Sequence, residues 1–301
     1  MKKNYKKIIG LLLVALFIIY YTSNNGNIAS EQKDNINFKE TEEVINVSGN
    51  LKVYFLDVGQ ADSILIANNG EYALIDAGNN EDGKKLVEYF HSLGIKNFSY
   101  LIGTHAHEDH IGGMDDIIKN FNIGTFYMPD AITTTKTFED VLDALEKKSI
   151  AYQTPEIDST FSLADCKFQV LYIGDDAPDL NDTSIVLKMT YGNNTFLFMG
   201  DATSKIERQI LNKNLKSDVL KVAHHGSNYA STKAFLEKVS PKYAIIEVGV
   251  NNTYNHPKQS VINKLEELGV KIYRTDEDGT IIATSNGQDI TFETVKTDTN
   301  G

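Results

Sequence analysis

Cysteine is nearly absent from this chain: one residue, Cys166, in 301. An intramolecular disulfide is therefore excluded, and so is a metal site built mainly on thiolates. A single cysteine leaves the redox compartment open. A basic excess is also missing. Lys and Arg number 29 against 41 Asp and Glu, for a formal net charge of -12. Non-specific nucleic-acid binders usually present a basic surface, and the chain as a whole does not. That exclusion weakens for a protein holding divalent cations, which add positive charge where a phosphate would sit. No repeat of about 20–50 residues is found, which excludes solenoids and propellers. What remains is ordinary globular composition, 41% hydrophobic and 23% charged. The length allows one large domain or two small ones with a real core.

Long apolar runs are confined to the N-terminus. Four lysines within the first seven residues precede an apolar run from Ile8 to Tyr21. This is an export pattern, shorter than the ~20 residues of a typical full span. No small-x-small site follows Tyr21 and no cysteine follows the run, so a lipoprotein anchor is excluded. A cleaved signal peptide and an uncleaved membrane anchor both stay open for residues 1–21. Either places the remainder outside the cytoplasmic membrane, with the lysines inside. Residues 22–47 are rich in Asn, Ser, Lys and Glu and read as a flexible linker. The domain is expected over residues 48–297.

Within that domain strand and helix patterns recur. Strands are expected at 51–58, 63–67 and 71–75, the last two joined at the hairpin signal Asn68-Asn69-Gly70. A helix at 84–93 ends at Gly94, and a buried strand at 100–103 runs into a histidine-rich segment. Further helices are expected at 113–121, 138–148, 203–211, 232–239 and 257–268, the last with Pro257 in its first turn. Further strands are expected at 167–173, 184–191, 195–199, 219–223, 243–248, 272–274, 280–284 and 290–293. Paired strands followed by strand–helix alternation predict sheets covered by helices, a layered α/β or α+β domain.

Six of the seven histidines fall in three clusters, each after a predicted strand. His91 stands apart in a helix. The first cluster is His105-Ala106-His107-Glu108-Asp109-His110. In extended chain, residues two apart share a face, so His105 and His107 can clamp one metal. Asp109 and His110 follow the turn toward Gly112-Gly113 and can face a second, as two-metal sites require. Three surface histidines in a polar loop would be the plainer account, but it must explain three imidazoles and two acids within six residues. Asp201 sits at a strand end in Gly200-Asp201, where it can bridge two cations or cap the helix expected near Thr203. His224-His225-Gly226-Ser227 follows another strand. One imidazole can reach a metal while the other contacts substrate or protonates a leaving group. His256 precedes Pro257 at a helix start and by itself would be unremarkable. Asp76 ends a strand in Ile-Asp-Ala-Gly and can accept a hydrogen bond from a ligand imidazole, fixing its tautomer. Asp57 and Asp62 are similar with less support.

These residues resemble a family. His105-x-His107-x-Asp109-His110 after a strand, with Ile-Asp76-x-Gly before it and Gly-Asp201 after it, resembles the metallo-β-lactamase superfamily. More narrowly, four segments resemble the hydrolase domain of ComEC-type DNA-uptake proteins. They are Asp57-Val-Gly-Gln-Ala-Asp-Ser-Ile-Leu-Ile, Thr104-His-Ala-His-Glu-Asp-His-Ile-Gly-Gly, Leu220-Lys-Val-Ala-His-His-Gly-Ser and Asn252-Thr-Tyr-Asn-His-Pro. Tyr273-Arg-Thr-Asp-Glu-Asp-Gly-Thr-Ile also fits. The match covers residues 50 to 285. It implies a four-layer αββα sandwich with the site at one edge of the sheets. It implies His105 and His107 on one metal, Asp109 and His110 on a second, and Asp201 bridging. His224 and His256 would complete the shells, with His225 near the substrate. Many superfamily members carry a further histidine before the bridging Asp. Here Leu180-Asn181-Asp182-Thr183-Ser184 has none, as in ComEC-type domains. Asn181 or Asp182 fills that place, or water does. The chain shows no polytopic channel segment, so it is not expected to transport DNA itself.

The function expected from this resemblance is metal-dependent hydrolysis, a two-metal phosphodiesterase or nuclease using a metal-bound hydroxide. Asp109, His225 and Asp76 form the expected catalytic set. The expected cofactors are two divalent ions, zinc or manganese, since mixed histidine and carboxylate ligands discriminate weakly. The expected substrate is DNA or a phosphorylated wall-polymer ester, with no protein partner identifiable. Two alternatives stand. An acyl-bond hydrolase of lactonase or β-lactamase type would show a shallow site without an anion-binding patch. A non-catalytic exported binding domain would show a degenerate site.

Overall fold

The computed structural model describes residues 50–131, 133–175 and 177–296. The expected signal or anchor at 1–21 and linker at 22–47 lie outside the described residues. Among the described residues no helix is long and apolar enough to cross a membrane.

Strands β1 (Leu51–Phe55), β2 (Ile64–Asn68), β3 (Glu71–Ile75), β4 (Asn97–Ile102), β5 (Asn122–Tyr127) and β6 (Tyr152–Gln153) build one sheet. Strands β7 (Thr160–Leu163), β8 (Cys166–Tyr172), β9 (Val186–Tyr191), β10 (Asn194–Phe198), β11 (Val219–Lys221), β12 (Tyr243–Ile246) and β13 (Lys271–Arg274) build the other. The chain then returns to the first sheet with β14 (Thr280–Ser285) and β15 (Ile290–Val295). The orders are β15-β14-β1-β2-β3-β4-β5-β6 and β13-β12-β11-β10-β9-β8-β7. Both sheets are mixed: β3 to β6 run parallel, as do β10 to β13, and the remaining pairs are antiparallel.

Strands covered on both faces read as nearly continuous apolar runs, and the faces separate by parity. In β1, Val53 and Phe55 face the other sheet, while Tyr54 faces a helical layer. In β10, Phe196 and Phe198 lie between the sheets and Leu197 points outward. The helices α1 (Gly83–Ser92), α2 (Glu108–Ile111), α3 (Met114–Asn120) and α4 (Lys136–Lys148) lie on the first half of the chain. Leu86 and Phe90 of α1, Ile117 of α3, and Phe138, Val141 and Leu145 of α4 pack on the outer face of the first sheet at helical spacing. Helices α5 (Ser204–Ile210), α6 (Lys233–Val239) and α7 (Gln259–Glu267) cover the second through Ile206, Phe235 and Val261; the short α8 (Thr275–Asp278) links β13 to β14. The layers are helix, sheet, sheet, helix, the αββα sandwich.

Three strands escaped sequence reading: β5, β6 and β7. Strand β5 is Asn-Ile-Gly-Thr-Phe-Tyr with only Phe126 fully buried. Its glycine looks like a breaker, but a Cβ at Gly124 would lie 2.7 Å from the Ser99 carbonyl oxygen. Close strand approach demands the glycine. Two helix starts also move. Lys258 precedes α7, so His256 and Pro257 stand outside it. Thr203 caps α5, its side chain accepting from the Lys205 amide. Asp201 is therefore not the cap.

The ends of the parallel strands position the site. Asp76 follows β3, His105 follows β4, Asp201 follows β10, and His224 follows β11. Ligands gather at carboxyl ends of strands in open α/β sheets for this reason. The bend that brings His110 back depends on Gly112, where a Cβ would lie 2.2 Å from the Asn79 carbonyl carbon and 2.3 Å from the Asn80 nitrogen. Backbone cannot give way as a flexible side chain would. Gly112→Ala is expected to lower stability by about 3 kcal/mol, the upper end of the usual overpacking cost, read as a fall in the urea midpoint. An unchanged midpoint would mean that the α2–α3 junction is looser than its contacts show.

Candidate metal centre

The Asp201 carboxylate lies at the middle of the histidine clusters. Its Oδ1 is 3.3 Å from His110 Nε2. Its Oδ2 is 4.0 Å from His105 Nε2, 3.7 Å from His224 Nε2 and 3.9 Å from His225 Nε2. His105 Nε2 is 3.0 Å from His107 Nδ1. Asp109 Oδ2 is 3.3 Å from His225 Nε2 and 3.9 Å from His110 Nε2. Asp109, His110, Asp201 and His225 each offer one ligand atom within 4.8 Å of the others. The six clustered histidines thus come together, with His105, His110 and His225 buried and His107, His224 and His256 partly exposed.

The His224-His225 turn differs from the extended segment that the sequence suggested. His224 (φ 53°), His225 (φ 51°) and Gly226 (φ 80°) are successive left-handed residues. For a non-glycine residue this conformation costs about 1–3 kcal/mol. Adjacent side chains in extended chain point opposite ways; in this turn both imidazoles reach the same Asp201 oxygen. The closely packed turn also uses its glycine, since a Cβ at Gly226 would sit 2.6 Å from Pro257 Cβ.

Behind the histidines stands a buried polar layer. Asp76 Oδ2 is 2.8 Å from His110 Nδ1. The same carboxylate accepts from the Thr104 amide at 2.8 Å and the Thr104 hydroxyl at 2.7 Å. His225 Nδ1 lies 2.9 Å from the Glu247 carbonyl oxygen and 3.2 Å from Asp62 Oδ1. Such partners fix the tautomer and ring orientation of a ligand. Lys221 Nζ donates to Asp62 Oδ2 at 2.6 Å and stands 3.7 Å from Glu247 Oε2. Sequence reading missed Lys221 and Glu247. A signal was available: each is a charged residue within an apolar strand run, Val219-Leu-Lys-Val and Ile245-Ile-Glu-Val. Asp57, by contrast, is exposed and accepts from the Gly59 amide.

The segment without a histidine also resolves. Asp182 accepts from Thr203 Oγ1 at 2.5 Å and from Lys205 Nζ at 2.9 Å, so its carboxylate is engaged elsewhere. Asn181 lines the cleft, and its Oδ1 is buried without a hydrogen bond. Ser184 Oγ accepts from the Asp201 amide at 3.1 Å and is 3.4 Å from His105 Nδ1.

The electrostatics suit cations. Burial raises the Asp201 carboxyl, but His110 and His225 outweigh it and hold the group well below the carboxylate range. Burial and the neighbouring His110 charge push His105 well below the usual imidazole range, toward the neutral form that ligates metal. Burial also lowers His110 and His225, but Asp201 and its fellow carboxylates reverse this; His225 is raised to about 10. The carboxylates thus favour positive charge at these two rings, the kind of charge a divalent ion would supply. His110 Nε2 and Asp201 Oδ1 are buried and face each other without a well-directed hydrogen bond. Ligand types, spacing and these two atoms fit a divalent-metal centre. It opens to a cleft of ≈ 730 Å³ lined by Gln60, His107, Asn181, Tyr254 and His256 among others.

The fold and this centre have known counterparts. The model of the metallo-beta-lactamase superfamily matches residues 56–249, and the chain belongs to that superfamily, whose members are generally metal-dependent hydrolases. Within it, homologues of the chain include ComEC-type competence proteins. It is 32% identical over 253 residues to ComE operon protein 3 of Bacillus subtilis, covering 76% of this chain and 32% of that protein. It is 29% identical over 229 residues to competence protein ComA of Neisseria gonorrhoeae, covering 75% of this chain and 31% of that protein. The chain thus spans about a third of the length of these relatives. The metallo-beta-lactamase fold protein YhfI of Bacillus subtilis shares the fold at 10% identity and TM-score 0.54, covering 79% of this chain and 100% of that one.

Proposed function

We propose that this domain is a two-metal phosphodiesterase of nuclease type, taking zinc or manganese. The observation that carries the reading is Asp201, whose two oxygens face different imidazoles across 3.3–4.0 Å. Two divalent ions bound there would supply Lewis-acid charge and a nucleophile at neutral pH. On this reading His105 and His107 would hold one ion, Asp109, His110 and His225 would hold the other, and Asp201 would supply negative charge between them. Asp76 keeps the His110 ring in place through its Nδ1. His225 has its Nδ1 tied to the Glu247 carbonyl, so its Nε2 is presented to an ion rather than to substrate. The substrate-facing role expected of His225 then passes to His224 and His256, whose rings border the cleft. Their Nε2 atoms can contact a phosphate oxygen or deliver a proton to a leaving oxygen. The N-terminal lysines and apolar run support export, with DNA or a phosphorylated wall-polymer ester as substrate outside the membrane.

The full 301-residue chain, loaded with zinc or manganese, is expected to cleave bis-p-nitrophenyl phosphate and single-stranded DNA. His107→Ala is expected to lose metal uptake and activity together. Loaded protein that cleaves neither ester, or that hydrolyses nitrocefin or a lactone instead, overturns the reading.

A further inference from the structure

We propose that Tyr229 and Tyr254 form a stacking ledge for unpaired nucleobases at the mouth of the metal cleft. The phosphodiester that this domain takes would then belong to a single-stranded nucleic acid. This rests on the phosphodiesterase reading and narrows its substrate class. Among the described residues seven large hydrophobic side chains are exposed, and Tyr229, Val250 and Tyr254 stand out at 70%, 68% and 61%. All three lie on the two segments that carry His224 and His256. Exposed apolar side chains beside a candidate reaction centre are suited to holding a partner.

The rings are ordered relative to the centre. Tyr229 stacks on His224 with centroids 6.4 Å apart and planes 26° apart. Tyr254 stacks on His256 at 5.7 Å and 23°. The two imidazoles meet edge to face at 5.8 Å. Four rings therefore run in series along the rim. Each tyrosine lies beside an imidazole at a shallow interplanar angle and stays largely exposed, which leaves ring surface for a flat partner. A quaternary ammonium such as choline is held differently, by several ring faces turned toward one point. A base inside a duplex has both faces stacked on its neighbours, so along a strand the ledge suits unpaired bases.

Charge at the mouth puts the burden of binding on the bases. The mouth carries Glu81, Glu108 and Asp109, and the neighbouring Lys258 Nζ is engaged with the Tyr254 carbonyl at 2.7 Å. A sugar-phosphate backbone finds little cationic surface outside the metal centre. Grip on the strand must come from base stacking, which is indifferent to sequence because every base has a π-face.

The test is binding without turnover. Labelled hexathymidylate and an abasic hexamer of equal charge are titrated with the full chain in EDTA, followed by anisotropy. Hexathymidylate is expected to bind at least about tenfold tighter. Tyr229→Ala/Tyr254→Ala is expected to erase that preference, and the double phenylalanine variant to keep it. Equal affinity for the two oligomers, or a preference that survives the double alanine variant, overturns the ledge. So does phosphocholine binding that depends on both tyrosines while bases gain nothing from them. Hydrolysis of bis-p-nitrophenyl phosphate without base preference defeats the ledge alone. Base preference with no hydrolysis by loaded protein defeats the phosphodiesterase reading alone.

Discussion

Asp201→Ala is expected to empty both metal positions and to lower phosphodiester hydrolysis by at least about 10²–10³-fold, the scale on which single electrostatic contacts act at reaction centres. The reason is placement. Asp201 is fully buried, one oxygen faces His110, and the other faces His105, His224 and His225. Asp201 faces four imidazoles drawn from two of the clusters, whereas Asp109 reaches only His110 and His225. Without it, two cations a few Å apart would lose the negative charge between them. Metal content per chain, measured beside the rate, separates this role from others. Full metal loading in a slow enzyme would make Asp201 a substrate contact and would refute the bridge. Asp201→Asn keeps the shape and removes the charge, so it should follow the alanine variant.

Lys221→Met is expected to cost about 3–5 kcal/mol, the usual penalty for leaving one partner of a buried ion pair uncompensated. Lys221 is 1% exposed, and so is Asp62. Burial pulls the lysine down, but Asp62 and Glu247 outweigh it and its net shift is upward. Burial raises the Asp62 carboxyl, but Lys221 and His225 overcome this and lower it to about 2. Burial and the Asp62 charge drive Glu247 well upward, so Glu247 keeps its proton more readily and the lysine pairs chiefly with Asp62. Methionine fills similar volume, so the loss read from urea unfolding would be electrostatic. Adding Asp62→Asn should recover part of it. A single variant as stable as the parent would mean that water reaches this cluster.

The fold was legible wherever burial alone decides a strand. The runs around β1, β2, β3 and β10 are apolar on both faces and stood out at once. Strand β5 did not, because its reason for existing is the neighbouring β4 backbone against which Gly124 packs. Within the site, His105 to His110 was readable because ligand types crowd one short segment. The roles of His224 and His225 were not readable, because they turn on three left-handed residues whose conformation no propensity announces. Asp182 looked as good a candidate as Asn181 until Thr203 and Lys205 were seen to hold it. Lys221 and Glu247 could have been noticed from charge within apolar strands, although their partner Asp62 lies 159 residues from Lys221.

The polar layer has a consequence beyond orienting rings. Asp76 and His110 stand at ends of the first sheet, while Asp201 and His225 stand at ends of the second. The Asp62–Lys221 pair likewise joins a loop leaving β1 to strand β11. On the proposed assignment, neither half of the chain carries all the residues that would hold the metals. The centre therefore comes into being only when the halves dock, and it acts as a gauge of their alignment. A substitution that shifts one sheet against the other, however remote, is felt there as a change in spacing between oxygens and imidazoles.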